Sequence, residues 1–223
     1  MNIIDYADAD LMALDVAQLI AGELEDALMS GGRATLAVPG GETPGAMFDD
    51  LSGADLDWDR VDVMLTDERW LPEVHVRSNA RQVKERLLTD RAAAARFHPL
   101  YAPAERPDDV LADIEAGLVP CLPITVALIG MGTDMHVASL FPGGDNLATG
   151  LAAEAPILVP MQAPGLSEAR VSLTARVLNG ALSKHLMITG NPKRNALEKA
   201  AHMSPEDAPV AAILEDCTVH WAP

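Results

Sequence analysis

A short apolar run, a polar loop and a helix-type stretch recur four times along the chain, and this recurrence limits the fold more than any other feature of the sequence. RATLAV at 33–38 runs into PGGETP and a helical stretch through Met47, Phe48 and Leu51. VDVMLTDE runs into SNARQVKERLL, ITVALIG into GMGTDMHVASLF, and HLMITG into NPKRNALEKAA. Alternation of this kind builds a parallel sheet, because a parallel neighbour is reached only by a crossover long enough to hold a helix. We expect an α/β fold with a mostly parallel sheet and helices on both faces.

Ahead of the first unit, residues 8–29 place Met12, Val16, Leu19, Ile20, Ala27 and Leu28 near a 3.6-residue period. Asp8 and Asp10 suit the start of that helix and Gly31-Gly32 its end. Further strands are expected at 157–160, 170–175, 210–214 and 217–221, some of them as an antiparallel edge. Ala92–Ala95 reads as the extension of a helix. No linker divides the 223 residues, so residues 1–223 are expected to be one domain.

Charge and composition exclude several classes of function. With 33 acidic against 16 basic residues the net charge is -17, the opposite of the basic stripe that nucleic acid requires. No apolar run approaches the roughly 20 residues of a membrane span, and the first ten residues are acidic where a secretory leader would be basic. A cytoplasmic location is expected, with no nucleic-acid or membrane partner. Cys121 and Cys217 stand alone, without disulfide or CxxC spacing, and read as buried small apolar residues.

Ligands of a parallel α/β sheet bind beyond the carboxyl ends of its strands. Gly40, Gly41 and Thr43 follow the first strand; Asp67, Glu68 and Arg69 the second; Asp134 and His136 the third; Gly190 and Lys193 the fourth. The glycine pair lets backbone approach an anion, and Thr43 offers a hydroxyl and a helix cap, although the same residues also suit a plain strand-to-helix turn. Walker and GxGxxG patterns are absent, so no nucleotide is implied. Lys and Arg are missing between Arg106 and Arg170, which leaves Arg69, Arg170 and Lys193 as the cations that could meet a phosphate. In TDERW the arginine is either a surface ion pair or a clamp held by carboxylates.

An imidazole titrates close to neutrality, so His136 can take a proton from water, with Asp134 two residues earlier to set its tautomer; a capping role at a helix start is the alternative. Ser139, one helical turn on, lacks the GxSxG surroundings of a nucleophile and reads as a helix-packing residue. Asp67, His75, Asp134 and His136 match no zinc-site spacing, and no metal is expected there. The other histidines, at 75, 98, 185, 202 and 220, show no comparable setting.

Together PGGETP at 39–44, TDERWLP at 66–72, SNARQVKERLL at 78–88, GMGTDMHVASLFPG at 130–143, RVSLT at 170–174 and TGNPK at 189–193 resemble, in the same order, the 6-phosphogluconolactonase family. The resemblance implies a Rossmann-like fold shared with glucosamine-6-phosphate isomerases and deaminases. It also implies cytosolic hydrolysis of 6-phospho-glucono-1,5-lactone, in the oxidative pentose phosphate pathway, with no required cofactor. Carried over by position, His136 is the general base, with Asp134 or Asp67 orienting the base or its water. Gly40, Gly41, Thr43, Arg69, Arg170 and Lys193 hold the phosphate. The expected partner is a small sugar phosphate, and the expected state a monomer or weak homo-oligomer.

The chain departs from the family pattern at Pro39, usually Ser, at Val137, usually Thr, and at Met135, usually Gly. A positive φ or a close substrate approach at Met135 would strain or obstruct that residue. Two other functions bear on the same residues: an amino-sugar-phosphate isomerase or deaminase, for which DEY-like and AFNEP-like segments are expected in place of TDERW and ASLFPG, and a non-catalytic sugar-phosphate sensor, for which Met135 is the motive.

Overall fold

The structure, a computed structural model, describes residues 1–223. Seven strands form one parallel sheet: β1 (Asn2–Asp5), β2 (Ala34–Val38), β3 (Val61–Leu65), β5 (Arg96–His98), β6 (Val126–Ile129), β9 (Ser183–Thr189) and β10 (Thr218–Ala222), in the order β1-β10-β9-β6-β2-β3-β5. Three more, β4 (Asp67–Arg69), β7 (Leu158–Met161) and β8 (Arg170–Leu173), form a small antiparallel sheet in the order β4-β8-β7. The helices are α1 (Ala9–Met29), α2 (Gly45–Ser52), α3 (Asn79–Arg86), α4 (Leu111–Leu118), α5 (Leu147–Leu151), α6 (Ala175–Asn179) and α7 (Asn191–Ala200). None is long and apolar enough to cross a membrane.

Every residue of β2, β3 and β6 is buried, which requires cover on both faces of the sheet and explains why these strands read as unbroken apolar runs. The main core is a cluster of 52 buried residues, in which side chains such as Phe48, Ile20 and Leu36 each contribute about 1.5–3 kcal/mol through removal from water. In α1, Met12, Val16, Ile20, Leu24 and Leu28 form the buried stripe, and the Asp8 carboxylate accepts the Leu11 amide at 2.8 Å as its N-cap. Leu19 falls off that stripe and is exposed.

Local chemistry overrode the expected elements in several places. The stretch 210–214 is a 3-10 turn, Pro209–Ile213, rather than a strand: proline opens it, and β9 already has β6 and β10 on its two edges. The alanines at 92–95 extend no helix; Asp90, at φ 43°, breaks the chain into a separate 3-10 turn, Asp90–Ala94. The stretch 130–141, expected to be helical, is a loop of tight turns, because Met135 and Ala138 have φ of 67° and 50° and a helix tolerates neither. Asp67, Glu68 and Arg69 lie in β4 rather than in a loop. Strands β1 and β5, four and three residues long, were too short and too polar to be expected.

Two features of the topology place the functional site. The chain runs from β2 towards β3 and β5 on one side and from β6 towards β9 and β10 on the other, so strand order reverses between β2 and β6. At such a reversal the loops leaving the two strands diverge and open a crevice. Thr66 then turns the chain out of the large sheet: its amide donates to the Val38 carbonyl at 2.9 Å, and its carbonyl accepts the Leu173 amide of the small sheet at 2.9 Å. The small sheet thereby stands at the mouth of the crevice.

Candidate active site

The crevice is a half-open cleft of about 410 Å³, within the range of small-molecule sites. Gly40, Gly41, Thr43, Asp67, Arg69, His136, Arg170 and Lys193 all line it. Eight of the nine residues singled out in the sequence therefore meet in one place, from five separate segments. Asp134, the ninth, is outside the cleft lining, a half-exposed side chain hydrogen-bonded to His136.

The cationic wall comes from the small sheet. Arg69 and Arg170 are cross-strand partners on β4 and β8. One Nη of Arg69 donates to the Arg77 carbonyl at 2.5 Å, and one Nη of Arg170 lies 3.3 Å from Glu168. The Nε groups of both are buried without an acceptor. Burial first, and the neighbouring charge of Arg69 second, pull the Arg170 pKa below its ordinary value. Two adjacent guanidinium groups with unmet donors form a local positive field that an anion would relieve, inside a protein whose overall charge is -17. Lys193, in the first turn of α7, reaches the same cleft, and burial lowers its pKa.

The arginine is not clamped by its neighbouring glutamate. Glu68 is fully buried and turns its carboxylate to the start of α3, where it accepts the amides of Asn79 and Ala80 (2.8 Å each) and the Ser78 hydroxyl (3.0 Å), together with the Arg69 amide at 2.7 Å. Burial raises the Glu68 pKa, and these four hydrogen bonds oppose the rise. Glu68 thus joins β4 to α3 and aims Arg69 only through the backbone.

The glycine turn works differently from the expectation. Gly41 has φ of 91°, a conformation that favours glycine, but its amide is taken by the Gln82 side chain at 2.9 Å. It offers no donor to an anion. The amides of Gly40, Glu42 and Thr43 have no acceptor within the protein. Thr43 does not cap α2, which starts at Gly45 behind Pro44 without a side-chain cap. Gly40 is needed for another reason: a Cβ there would collide with the Asn79 side chain. Asn79, whose Nδ2 donates to the Asp67 carbonyl at 2.9 Å, lines the cleft and went unnoticed in the sequence.

In the loop after β6, His136 Nδ1 lies 2.5 Å from Asp134 Oδ1, and the same oxygen accepts the His136 amide at 3.3 Å. Burial would raise the Asp134 pKa, but the hydrogen bond and charge of His136 outweigh it and hold the carboxyl below its ordinary range. With Nδ1–H donated to the carboxylate, Nε2 carries the free lone pair. Phe141 packs against the ring at 4.3 Å between centroids. Asp67 makes no hydrogen bond to His136; its Oδ2 accepts the Ser139 hydroxyl at 2.6 Å. Ser139 is therefore a buried tie between loop and small sheet rather than a helix-packing residue.

Gly132 was also missed. A Cβ at this position would lie within 3.0 Å of Asp134 Oδ1 and of two atoms of the His136 ring, a separation that real Cβ atoms essentially never show. The signal was present in GMGTDMH, but only the folded loop shows that the imidazole and carboxylate lie over this Cα. Met135 does adopt the positive φ that favours glycine, at a cost of about 1–2 kcal/mol. Its side chain packs against the main core, not in the cleft, and its backbone is held by the Gly132 carbonyl and the Val210 amide, each at 3.0 Å.

His185 and His220, without a setting in the sequence, have one away from the cleft. Glu23, His185, His220 and Tyr6 form a chain of hydrogen bonds, with steps of 2.9, 3.0 and 2.9 Å, between α1 and the strands β9 and β10. Burial first, then the charge of His185, push the His220 pKa down to about 4.

A parallel α/β sheet whose crevice holds both a cationic grip and a carboxylate-anchored imidazole defines a class: enzymes that hold a small substrate by an anionic end and move a proton elsewhere on it. Comparison with known proteins makes the class specific. Residues 7–221 match the family model described as glucosamine-6-phosphate isomerases/6-phosphogluconolactonase. The 6-phosphogluconolactonase of Rhizobium meliloti is 38% identical over 100% of this chain and 99% of its own length, and that of Pseudomonas aeruginosa 40% identical over 98% and 93%. The crystal structure of a 6-phosphogluconolactonase from Shewanella baltica superposes with a TM-score of 0.96 at 27% identity, covering 100% of this chain and 98% of that one. The chain belongs to the glucosamine-6-phosphate isomerase/6-phosphogluconolactonase family.

Proposed function

We propose that the protein hydrolyses 6-phospho-glucono-1,5-lactone to 6-phosphogluconate, the lactone-opening step of the oxidative pentose phosphate pathway. The observation that carries the reading is the pairing of His136 with Asp134 in the same cleft as Arg69, Arg170 and Lys193. The 6-phosphate sits against these three cations and the turn of Gly40, Gly41 and Thr43. That grip presents the far end of the sugar, the lactone carbonyl, to His136. Nε2 takes a proton from water as the water oxygen bonds to the carbonyl carbon, and the Asp134 carboxylate stabilises the imidazolium. The tetrahedral oxyanion collapses by breaking the bond to the ring oxygen, which receives the proton back from Nε2. No covalent enzyme intermediate forms. General-base help supplies about 100- to 10,000-fold, and positioning and electrostatic stabilisation the rest.

On this reading residues 1–223 act as one domain, in the cytoplasm, as a monomer or weak homo-oligomer with a sugar phosphate as its partner. Assays with freshly prepared lactone and with glucosamine 6-phosphate test it. Accelerated acid release from the lactone supports hydrolysis. Ammonia release from the amino sugar would assign the deaminase reaction instead, and binding without turnover a sensor.

A further inference from the structure

Asp62, His98 and Cys121 converge at a second place, by the entry end of β3 and just ahead of β6, on the edge of the sheet opposite the cleft. His98 Nε2 lies 2.8 Å from Asp62 Oδ1 and 3.4 Å from Cys121 Sγ, and the three ligand atoms lie within 4.8 Å of one another. Asp62 and Cys121 are buried, while the His98 side chain keeps some contact with solvent.

Hydrogen bonding serves Asp62, through Arg33 and His98, but leaves the Cys121 thiol to share a ring nitrogen that is already taken. Both contacts fall on the same ring nitrogen, which carries either one proton or one lone pair. If Nε2–H donates to the carboxylate, the thiol proton finds no acceptor there; if the thiol donates to Nε2, two lone pairs face each other across 2.8 Å. A catalytic relay is excluded on the same ground, since a relay uses both ring nitrogens. A cation at the point of convergence would satisfy all three groups at once.

We propose that Asp62, His98 and Cys121 form a binding site for a thiophilic divalent transition metal, zinc foremost. A carboxylate, an imidazole and a thiolate are a zinc donor set, and bond lengths of about 2.0–2.3 Å in a tetrahedron put the ligand atoms roughly 3.4–3.5 Å apart. The sulfur–nitrogen separation already fits, and the oxygen–nitrogen pair opens by roughly half an ångström. Water entering beside His98 supplies the fourth position. Arg33 holds Asp62 Oδ2 at 2.5 Å, which fixes Oδ1 towards the site in the manner of an outer-shell partner. Arg96, 3.9 Å from Asp62 Oδ1, is mostly exposed and free to swing out. The three ligands come from β3, the edge strand β5 and the turn before β6, so the metal would pin that edge of the sheet.

The test uses the full chain, stripped of metal and titrated with Co²⁺ as a spectroscopic probe, with Zn²⁺ affinity measured by competition against a chromophoric chelator. One equivalent is expected to produce the near-ultraviolet sulfur-to-cobalt charge-transfer band. Cys121→Ser should abolish the band and weaken Zn²⁺ by at least about 100-fold, while Cys217→Ser leaves both unchanged. Zn²⁺ should raise the melting temperature of the wild type but not of Cys121→Ser. If Cys121→Ser does not fold, His98→Gln serves in its place, read by Zn²⁺ affinity, with the same expected weakening of at least about 100-fold. No band at millimolar Co²⁺, a band that survives in Cys121→Ser or, where that variant does not fold, an unchanged Zn²⁺ affinity in His98→Gln overturns the proposal.

Discussion

Replacing Gly132 by alanine is the smallest change that should disable the cleft. Gly132 does not have a positive φ, so its backbone accepts alanine, and the added methyl is the whole perturbation. That methyl falls inside 3.0 Å of Asp134 Oδ1 and the His136 ring, whereas ordinary contact begins at 3.4 Å. The pair must retreat by about 1 Å, and Phe141, stacked on the ring, limits its freedom to do so. A displacement of about 1 Å at a reacting group costs on the order of 100-fold, or about 2.7 kcal/mol of barrier. We therefore expect Gly132→Ala to lower kcat for lactone hydrolysis about 100-fold. Binding of the acid product, which on the proposed reading rests on Arg69, Arg170 and Lys193, should be unchanged. Stopped-flow or coupled assays give kcat and KM, and calorimetry with 6-phosphogluconate gives the binding. A kcat within about threefold of wild type would refute the claim that Gly132 is the floor beneath the pair, since that corresponds to less than about 0.7 kcal/mol.

His136→Ala should lower kcat by about 100- to 10,000-fold with product binding retained; full turnover in this variant would remove His136 as the base. Arg170→Ala should act mainly on binding, raising KM for the lactone by about 10- to 100-fold, the loss of about 1.5–3 kcal/mol in charge-assisted hydrogen bonds, and added inorganic phosphate should inhibit it less than wild type. A KM unchanged with only kcat reduced would instead place Arg170 at the carbonyl. The buried His220, its pKa pushed down to about 4 by burial and by His185, predicts a pH-dependent stability. The unfolded chain, with an ordinary histidine pKa near 6.5, binds the proton that the folded chain refuses, so stability is complete above about pH 6.5 and falls as pH drops towards 4. Urea unfolding at pH 6.5 and 5 should show a loss of about 1.5 kcal/mol that His220→Gln lacks; an equal slope in the variant would locate the titration elsewhere.

Long-range order in this chain was legible where one periodicity ran unopposed. The buried strands β2, β3 and β6 read as apolar runs because cover on both faces removes any reason for alternation, and α1 read as a helix because twenty-one residues carry one stripe and a cap. The loop from 130 to 141 did not, since its composition suits a helix and only the backbone at Met135 and Ala138 forbids one. Residues 67–69 read as a loop because three residues hold too little pattern to reveal a strand in a second sheet.

What the amino-acid order alone determined is the chemistry available: three cations, an imidazole and two candidate carboxylates, at strand ends or in the stretches that follow them. Tertiary structure alone decided how those groups are used. It assigned Asp134 to the imidazole and Asp67 to Ser139, turned Glu68 away from Arg69, occupied the Gly41 amide with Gln82, and laid the His136–Asp134 pair over Gly132. Hydrogen bonds are directional and effective only within about 3 Å. Which of several eligible partners a group takes is settled when distant segments are packed side by side, a distance that spacing along the chain does not encode.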